Sequence, residues 1–298
     1  MLRLARLAAV ASAIALAAPA LAFAVEIETA KGPVTLAGTP EKVAVFDIAA
    51  IDTLLALGIV PAGVPDKLYV TYLGEDAAKA PKVGTLFEPN LEAVAGLAPD
   101  LIVIGGRSST QGEALAPIAP VIDMTIGSDV VAEAKARLTA YGKAFGREAK
   151  AAELTAALDA ELAAVAKAAE GKGTALVLLT NGTKLSAYGA GSRFGWIHSA
   201  LGLPQARDGL KTDTHGDAIS FEFIAETNPD WIFVIDRGAA IGEAGAAQAT
   251  LDNPLVNGTK AARAEQIVYL SPAPIYIAGG GYTSLMGTLA ELKAALAK

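Results

Sequence analysis

The sequence predicts an α/β fold of two Rossmann-like lobes, each built on a mainly parallel sheet and joined by one long, rigid α-helix. The first reason is an internal repeat: a unit that begins at Glu92 occurs again at Glu222, 130 residues later. Each copy contains a short amphipathic helix, a Pro-Asp pair and an apolar strand, and each ends on an arginine, Arg107 or Arg237. Two copies at such a long period indicate two similar lobes, because a solenoid needs three or more repeats at a shorter period.

The second reason is a long helical segment between the repeats. Residues 147–170 are rich in Ala and charged residues and contain no Gly or Pro, so they predict one helix about 36 Å long. Its apolar seam is mostly Ala and too short for several heptads, which argues against a coiled coil. We therefore predict a connecting helix at 146–172, between an N-terminal lobe at 25–145 and a C-terminal lobe at 173–298.

Strands and helices alternate along both lobes, which is typical of a parallel sheet. In the first lobe, the apolar run Val43–Phe46 predicts a buried strand, and Asp47 precedes a helix that Gly58 ends. The same reasoning predicts further strands at 59–64, 101–106, 121–122, 175–179, 231–236 and 267–270, and further helices at 91–97, 115–118, 130–145, 194–201, near 254 and at 283–298.

The first 24 residues have the pattern of a secretory signal peptide. Arg3 and Arg6 precede an apolar run at 7–21, and Ala22-Phe23-Ala24 fits a small-x-small cleavage site. Cleavage is expected after Ala24, with Ala22 as the other option and an N-terminal membrane anchor as the alternative. The chain has no Cys, so neither a lipid-anchored Cys nor a disulfide is expected. The sequence thus predicts a free periplasmic protein without direct membrane insertion.

Charge and motifs exclude several functional classes. The net charge is −7 at pH 7, and loss of two signal-peptide arginines makes the mature chain more negative still, which argues against nucleic acid as a partner. No GxSxG, HExxH, Walker loop or GxGxxG after a strand is present. Ser108, Ser109 and Asp236 suggest a hydrolase site only weakly, because the sequence places no His beside them. We expect a protein that is not an enzyme.

Three arginines are candidate ligand-binding residues. Arg107, Arg193 and Arg237 each follow a glycine-rich turn or the end of a strand. Ligands of open parallel sheets gather at the carboxyl ends of the strands, so two facing lobes would each offer guanidinium groups to something held between them. Three permanently charged groups around one cleft would bind a polyanion. Surface arginines in salt bridges are the alternative.

Histidine and tyrosine residues are candidate metal ligands. Of the two histidines, His198 falls in an apolar helical pattern and is expected to be structural, whereas His215 lies in a polar loop as a ligand candidate or a solvated side chain. Tyr276 and Tyr282 flank a triple glycine at 279–281. Because phenolate oxygen and imidazole both bind iron, His215 and one tyrosine would supply two ligands. That number suits a chelate that brings its own donors.

Four segments resemble the periplasmic iron–siderophore binding proteins: residues 87–107, 191–202, 215–237 and 276–281. These proteins are the substrate-binding components of ABC importers and have two α/β lobes with a helical strut. The resemblance runs through nearly the whole mature chain and is closest to the catecholate-siderophore branch. It implies capture of a ferric siderophore in the cleft and delivery to an ABC permease.

The resemblance also implies roles for particular residues. Arg107, Arg193 and Arg237 stand where that branch has an arginine triad around the anionic ferric catecholate. His215 and Tyr276 stand where a His and a Tyr complete the iron coordination when the siderophore offers only four donors. Fe(III) would arrive within the ligand, and no intrinsic cofactor is expected.

The glutamates of the repeat match a docking pair. Family members present one acidic residue per lobe to permease arginines, and Glu92 and Glu222 are in the matching places; the alternative is a carboxylate favoured by a helix dipole. A monomer is expected. The alternatives for function are a binder of another iron chelate (hydroxamate, ferric citrate, haem or cobalamin), a bare-metal binder using His215, Tyr276 and Tyr282, and a periplasmic hydrolase.

Overall fold

The computed structural model describes residues 24–212 and 215–298. The predicted signal peptide therefore lies outside the described residues, apart from its last position. Within 24–212 and 215–298, no helix combines the length and the apolar character that crossing a membrane requires.

The N-terminal lobe is built on a three-stranded parallel sheet. An antiparallel hairpin that the sequence did not predict precedes it. The sheet has the order β3-β4-β5, and β4 is buried along its whole length. The predicted strand at 59–64 forms only isolated bridges with its neighbours. The strands are β1 (Val25–Thr29), β2 (Gly32–Leu36), β3 (Val43–Val45), β4 (Leu101–Ile104) and β5 (Val121–Asp123).

Helices cover both faces of this sheet, and side chains cap several of them. Asp47 caps the first helix, and its carboxylate accepts from the amide of Ala50 at 2.8 Å. The helices are α1 (Ile48–Ala56), α2 (Gly74–Lys79), α3 (Leu91–Leu97), a 3₁₀ helix (Gly106–Gln111), α4 (Gly112–Leu115) and α5 (Val130–Ala144).

The C-terminal lobe has a five-stranded sheet in the order β10-β9-β6-β7-β8. The first three of these strands are parallel, whereas β7 and β8 are antiparallel additions, so this sheet is mixed rather than mainly parallel. The strands are β6 (Ala175–Asn181), β7 (Lys184–Tyr188), β8 (Asp217–Ile219), β9 (Trp231–Asp236) and β10 (Ile267–Tyr269). The helices are α7 (Trp196–Ser199), α8 (Phe221–Thr227), α9 (Arg237–Ala240), α10 (Ala247–Leu251), α11 (Pro254–Asn257), α12 (Lys260–Arg263), α13 (Pro272–Ile277) and α14 (Tyr282–Leu296).

The internal repeat is a repeat of structure. Helices α3 and α8 both end on a residue in the left-handed region, Ala98 at φ 48° and Asn228 at φ 44°. The aspartate that follows each helix binds the segment before a neighbouring strand. Asp100 accepts from the amide of Lys42, and Asp230 accepts from the amide of Thr174. The Pro-Asp pairs therefore fix the entry of β4 and β9 into their sheets.

The helix that connects the lobes is itself packed against the last helix of the chain. Helix α6 (Glu148–Ala169) occupies the predicted connecting segment, and α14 packs along it and against α1. The carboxylate of Asp52 in α1, which is 1% exposed, accepts from the amides of Thr283 and Ser284 and from the Tyr72 hydroxyl, each at 2.8 Å. The first lobe thus caps the last helix of the chain. The lobe boundaries at 145 and 173 stay a prediction.

Candidate ligand-binding cleft

A cavity of about 520 Å³ lies between the lobes. The N-terminal lobe contributes Asp47, Arg107 and Thr125 to its wall, and the C-terminal lobe contributes Arg193 and Tyr276. Because α1 and the 3₁₀ helix follow β3 and β4, the first lobe meets the cavity at the carboxyl ends of its strands, where open α/β sheets bind ligands. Its volume falls within the usual range for small-molecule sites.

Arg107 reaches across the cavity from the first lobe to the second. It follows β4 through Gly106, whose φ of +52° is a left-handed conformation that suits glycine. One guanidinium nitrogen donates to the backbone oxygen of Tyr276 at 3.0 Å, and another lies 3.5 Å from the oxygen of Ile277. The two lobes are therefore in direct polar contact at this arginine.

Arg193 binds the same backbone oxygen from its own lobe, at 2.9 Å. Its guanidinium lies over two rings, 4.5 Å from the centroid of Phe194 and 4.8 Å from that of Tyr276. Burial lowers the pKa of Arg193, and the positive charge of Arg107 lowers it further. In the described part of the chain, no carboxylate lies within ion-pair distance of either guanidinium. The cavity thus has a positive wall that a bound anion would neutralise.

Tyr276 supports both arginines as well as lining the cavity. Its carbonyl oxygen accepts from both, and the guanidinium of Arg107 lies 5.3 Å from its ring centroid. The triple-glycine segment after it is tightly packed, since a side chain at Gly280 would clash with Ile126. The sequence predicted Tyr276 as a ligand residue but gave no sign of its backbone role.

Asp47 is a cavity residue that the sequence reasoning treated only as the start of a helix. Its side chain is half-buried, and burial raises the pKa of its carboxyl group, while backbone amides and Arg107 oppose that rise. The signal that could have identified Asp47 is its position just after β3, at the edge of the sheet where Arg107 also lies.

The other predicted ligand residues lie elsewhere in the described structure. Arg237 begins α9 and donates to the side-chain oxygen of Asn181 at 3.3 Å. His215 is exposed in the loop before β8, and residues 213 and 214, which connect it to the cavity residue Thr212, lie outside the described range. Neither Arg237 nor His215 is among the described residues that line the cavity. Their roles in binding stay predictions.

The remaining candidates have clear positions. His198 is buried, with Nδ1 3.1 Å from the oxygen of Leu203, as expected for a structural histidine. Tyr282 begins α14, where burial raises the pKa of its hydroxyl. Among residues 24–212 and 215–298, no three or more His, Asp or Glu side chains cluster closely enough to hold a metal ion.

Glu92 and Glu222 occupy equivalent positions on the two lobes. Each is exposed in the first turn of its helix, α3 or α8. A hydrogen bond with the Ser220 side chain lowers the pKa of Glu222. The pair is thus accessible to a partner that spans both lobes.

Comparison with known proteins identifies the family. The model of the periplasmic binding protein family matches residues 43–274. The chain belongs to the periplasmic binding protein family. The petrobactin-binding protein YclQ of Bacillus subtilis is 38% identical over 264 residues, which cover 87% of this chain and 83% of YclQ. The ferric-anguibactin-binding protein FatB of Vibrio anguillarum is 30% identical over 272 residues, with the same coverage.

Solved structures agree with this assignment and confirm the predicted α/β fold class. The crystal structure of the periplasmic catecholate-siderophore binding protein VctP from Vibrio cholerae matches with a TM-score of 0.85 and 32% identity, over 91% of this chain and 100% of VctP. The resemblance seen in the sequence is therefore confirmed at the level of the family. Members of this family are binding proteins, and the cleft of this periplasmic binding protein is where a ligand would be held.

Proposed function

We propose that this chain binds a ferric siderophore, an anionic catecholate complex of Fe(III), in the cleft between its lobes and delivers it to the permease of an ABC importer. The observation that carries the proposal is the pair formed by Arg107 and Arg193. Both guanidinium groups donate to one neutral carbonyl oxygen, and the described structure provides neither with a carboxylate partner.

The charge of the pair favours an anion of delocalised charge. Catecholate oxygens leave a ferric complex negatively charged, and guanidinium groups offer both charge and several hydrogen-bond donors to them. The chain as a whole carries a net charge of −7, so the ligand must be attracted by the local patch against the overall field. Two similar proteins support the same ligand class: YclQ is named as a petrobactin-binding protein, and VctP as a catecholate-siderophore binding protein.

Arg237, His215 and Tyr276 are the further residues proposed for this site. Tyr276 lines the cavity, and we propose its phenol oxygen as a protein donor to the iron. His215 precedes β8 and Arg237 follows β9, which are strands of the same C-terminal sheet. Both residues would contact the ligand from that lobe. Fe(III) enters as cargo within the siderophore, and the protein contributes no cofactor of its own.

The proposal also includes the partner and the compartment. A secretory signal peptide at 1–24 would place the mature chain in the periplasm as a monomer. There, Glu92 and Glu222 would each meet an arginine of the permease, one from each lobe. Their exposure and their equivalent places in the repeat support this role.

Ligand titration of the purified mature protein tests the proposal. Trp196 lines the cavity, and the other tryptophan, Trp231, is buried in β9, so a Trp231→Phe background isolates the cavity signal. A ferric tetradentate catecholate, a ferric hydroxamate, ferric citrate, haem and an iron salt are compared. We expect tight quenching by the catecholate alone. Equal binding of the hydroxamate or haem, or no response to any chelate, would contradict the proposed ligand class.

A further inference from the structure

Asp47 is an acidic residue in a cavity that otherwise presents positive charge. It lies at the end of β3 and lines the same cavity as Arg107 and Arg193, yet in the described part of the chain it forms an ion pair with neither. The guanidinium of Arg107 is turned to the backbone oxygens of Tyr276 and Ile277 instead. The carboxylate and the arginine are thus neighbours that point to different partners.

Capping of α1 does not require an aspartate at this position. One carboxylate oxygen, Oδ1, accepts from the amide of Ala50, and a Ser or Asn side chain caps equally well, as Ser220 and Asn90 do in α8 and α3. In a cavity built for an anion, a second negative charge costs binding energy unless the ligand offers something to it. Aspartate is therefore the costly choice for a cap here.

The second carboxylate oxygen of Asp47 lies beneath the glycine turn that leads to Arg107. A Cβ atom built on Gly105 would approach this Oδ2 to 3.3 Å, and one on Gly106 would approach it to 3.6 Å. Glycine at these two places lets the turn pass close to the carboxylate. Arg107 and Asp47 are thereby held side by side on one wall of the cavity.

We propose that Asp47 forms an acidic subsite of this cleft, which takes a protonated amine carried by the ligand beside its anionic iron-binding groups. The inference rests on the proposed function and narrows its ligand class to ferric chelates that have an ammonium group in the arm between their catechol rings. The anionic iron-binding groups of the ligand contact Arg107 and Arg193, and its ammonium group contacts the carboxylate of Asp47.

The surroundings of the carboxylate strengthen such a contact. Burial disfavours the charged form of the Asp47 carboxyl group and raises its pKa, and Arg107 and two backbone amides offset this only in part. Asp123 adds a second negative charge nearby and raises the pKa further. An ammonium group brought by the ligand would supply the missing positive charge at short range.

A matched pair of ligands tests the subsite. Two ferric chelates carry the same two catechol groups, and their linkers have equal length, one with a secondary amine and one with an ether oxygen in its place. Both are titrated against wild type, Asp47→Asn and Asp47→Ser, the last of which keeps a helix cap. Asp76→Asn, an exposed change on α2, is the control. Thermal unfolding confirms that each variant is folded.

The ratio of the two dissociation constants decides the question. We expect wild type and the control to bind the amine chelate about tenfold more tightly than the ether chelate, and both Asp47 variants to bind them equally. The ether chelate should bind the variants at least as tightly as wild type. An unchanged ratio in the variants, or no preference in wild type, would overturn the inference while leaving the proposed function intact. Failure of wild type to bind either chelate would overturn both.

Discussion

The guanidinium groups of Arg107 and Arg193 share one acceptor, the backbone oxygen of Tyr276, at 3.0 and 2.9 Å. A carbonyl oxygen has two lone pairs and can accept both, but it cannot neutralise two positive charges. Burial lowers the pKa of Arg193, and the positive charge of Arg107 lowers it further, because the two guanidinium groups repel one another. An anion bound between the lobes would relieve this repulsion.

Direct coordination of iron by the protein predicts a spectroscopic change. Tyr276→Phe removes the phenol oxygen but keeps both the ring beneath the guanidinium groups and the backbone acceptor. In this variant and in His215→Ala, we expect the ligand-to-metal charge-transfer band of the bound ferric catecholate to shift toward that of the free complex. Tyr282→Phe, outside the cavity, should leave the band unchanged. If all three variants give the same band as wild type, neither Tyr276 nor His215 coordinates the iron.

The proposed docking residues should affect transport without affecting capture. Glu92→Gln and Glu222→Gln each remove an exposed negative charge from one lobe, so we expect unchanged siderophore affinity but slower uptake into vesicles that contain the permease. Glu88→Gln and Glu226→Gln are controls, because these residues are also exposed and lie close by on the same two lobes. Equal loss of uptake in the controls would argue for general charge rather than specific docking.

The cap that Asp52 provides for α14 predicts a large loss of stability on its removal. Asp52→Ala leaves the buried amide of Ser284, the half-buried amide of Thr283 and the Tyr72 hydroxyl without their acceptor, which we expect to cost about 2–4 kcal/mol in the free energy of unfolding. Asp76→Ala, at an exposed position, should cost less than about 0.5 kcal/mol. Denaturant unfolding measures both. A loss below about 1 kcal/mol for Asp52→Ala would show that the hydrogen bonds between Asp52 and the start of α14 contribute little to stability.

Buried His198 predicts that stability falls as the solution becomes acidic. Burial lowers the pKa of His198 below its usual 6.5, so the unfolded chain takes up the proton first as the pH falls. Its contribution is complete above about pH 6.5 and is lost below that value. Between pH 7.5 and 5.5, wild type and His215→Gln should lose more stability than His198→Gln. A loss of the same size in His198→Gln would show that other groups cause the pH dependence.

The repeat made much of the fold readable from the sequence. The Glu, Pro-Asp and Arg landmarks predicted α3 with β4 and α8 with β9, because the same caps and the same aspartate contacts recur in both lobes. The antiparallel strands β7 and β8 were not predicted. Strand β7 follows β6 through a two-residue hairpin at 182–183, a local signal that the sequence offered, whereas the pairing of β7 with the edge strand β8 joins segments distant in sequence. Likewise, the packing of α14 on α6 is not visible in its own amphipathic pattern, which shows only that one face is buried.

The cleft could be predicted in part. Arg107 and Arg193 follow strand ends or glycine turns, and both line the cavity. The same signal at Arg237 gives the position of the backbone but not the direction of the side chain, which here reaches Asn181. The role of the Tyr276 carbonyl as the shared acceptor could not be predicted from the sequence, because every residue type has a backbone carbonyl. The position of Asp47 at the cavity could have been predicted, since this residue also follows a strand of the N-terminal sheet.

The affinity of one ferric catecholate for variants of the arginine pair tests the central claim most directly. Arg107→Gln/Arg193→Gln removes both charges, and Arg147→Gln, exposed at the start of α6, removes one elsewhere. We predict that the double variant weakens binding about a hundredfold or more, and that raising the salt concentration weakens binding less in this variant than in wild type. Arg147→Gln should match wild type. An affinity within about threefold of wild type in the double variant would contradict the account, because the cleft would then hold its ligand without the charges that define it.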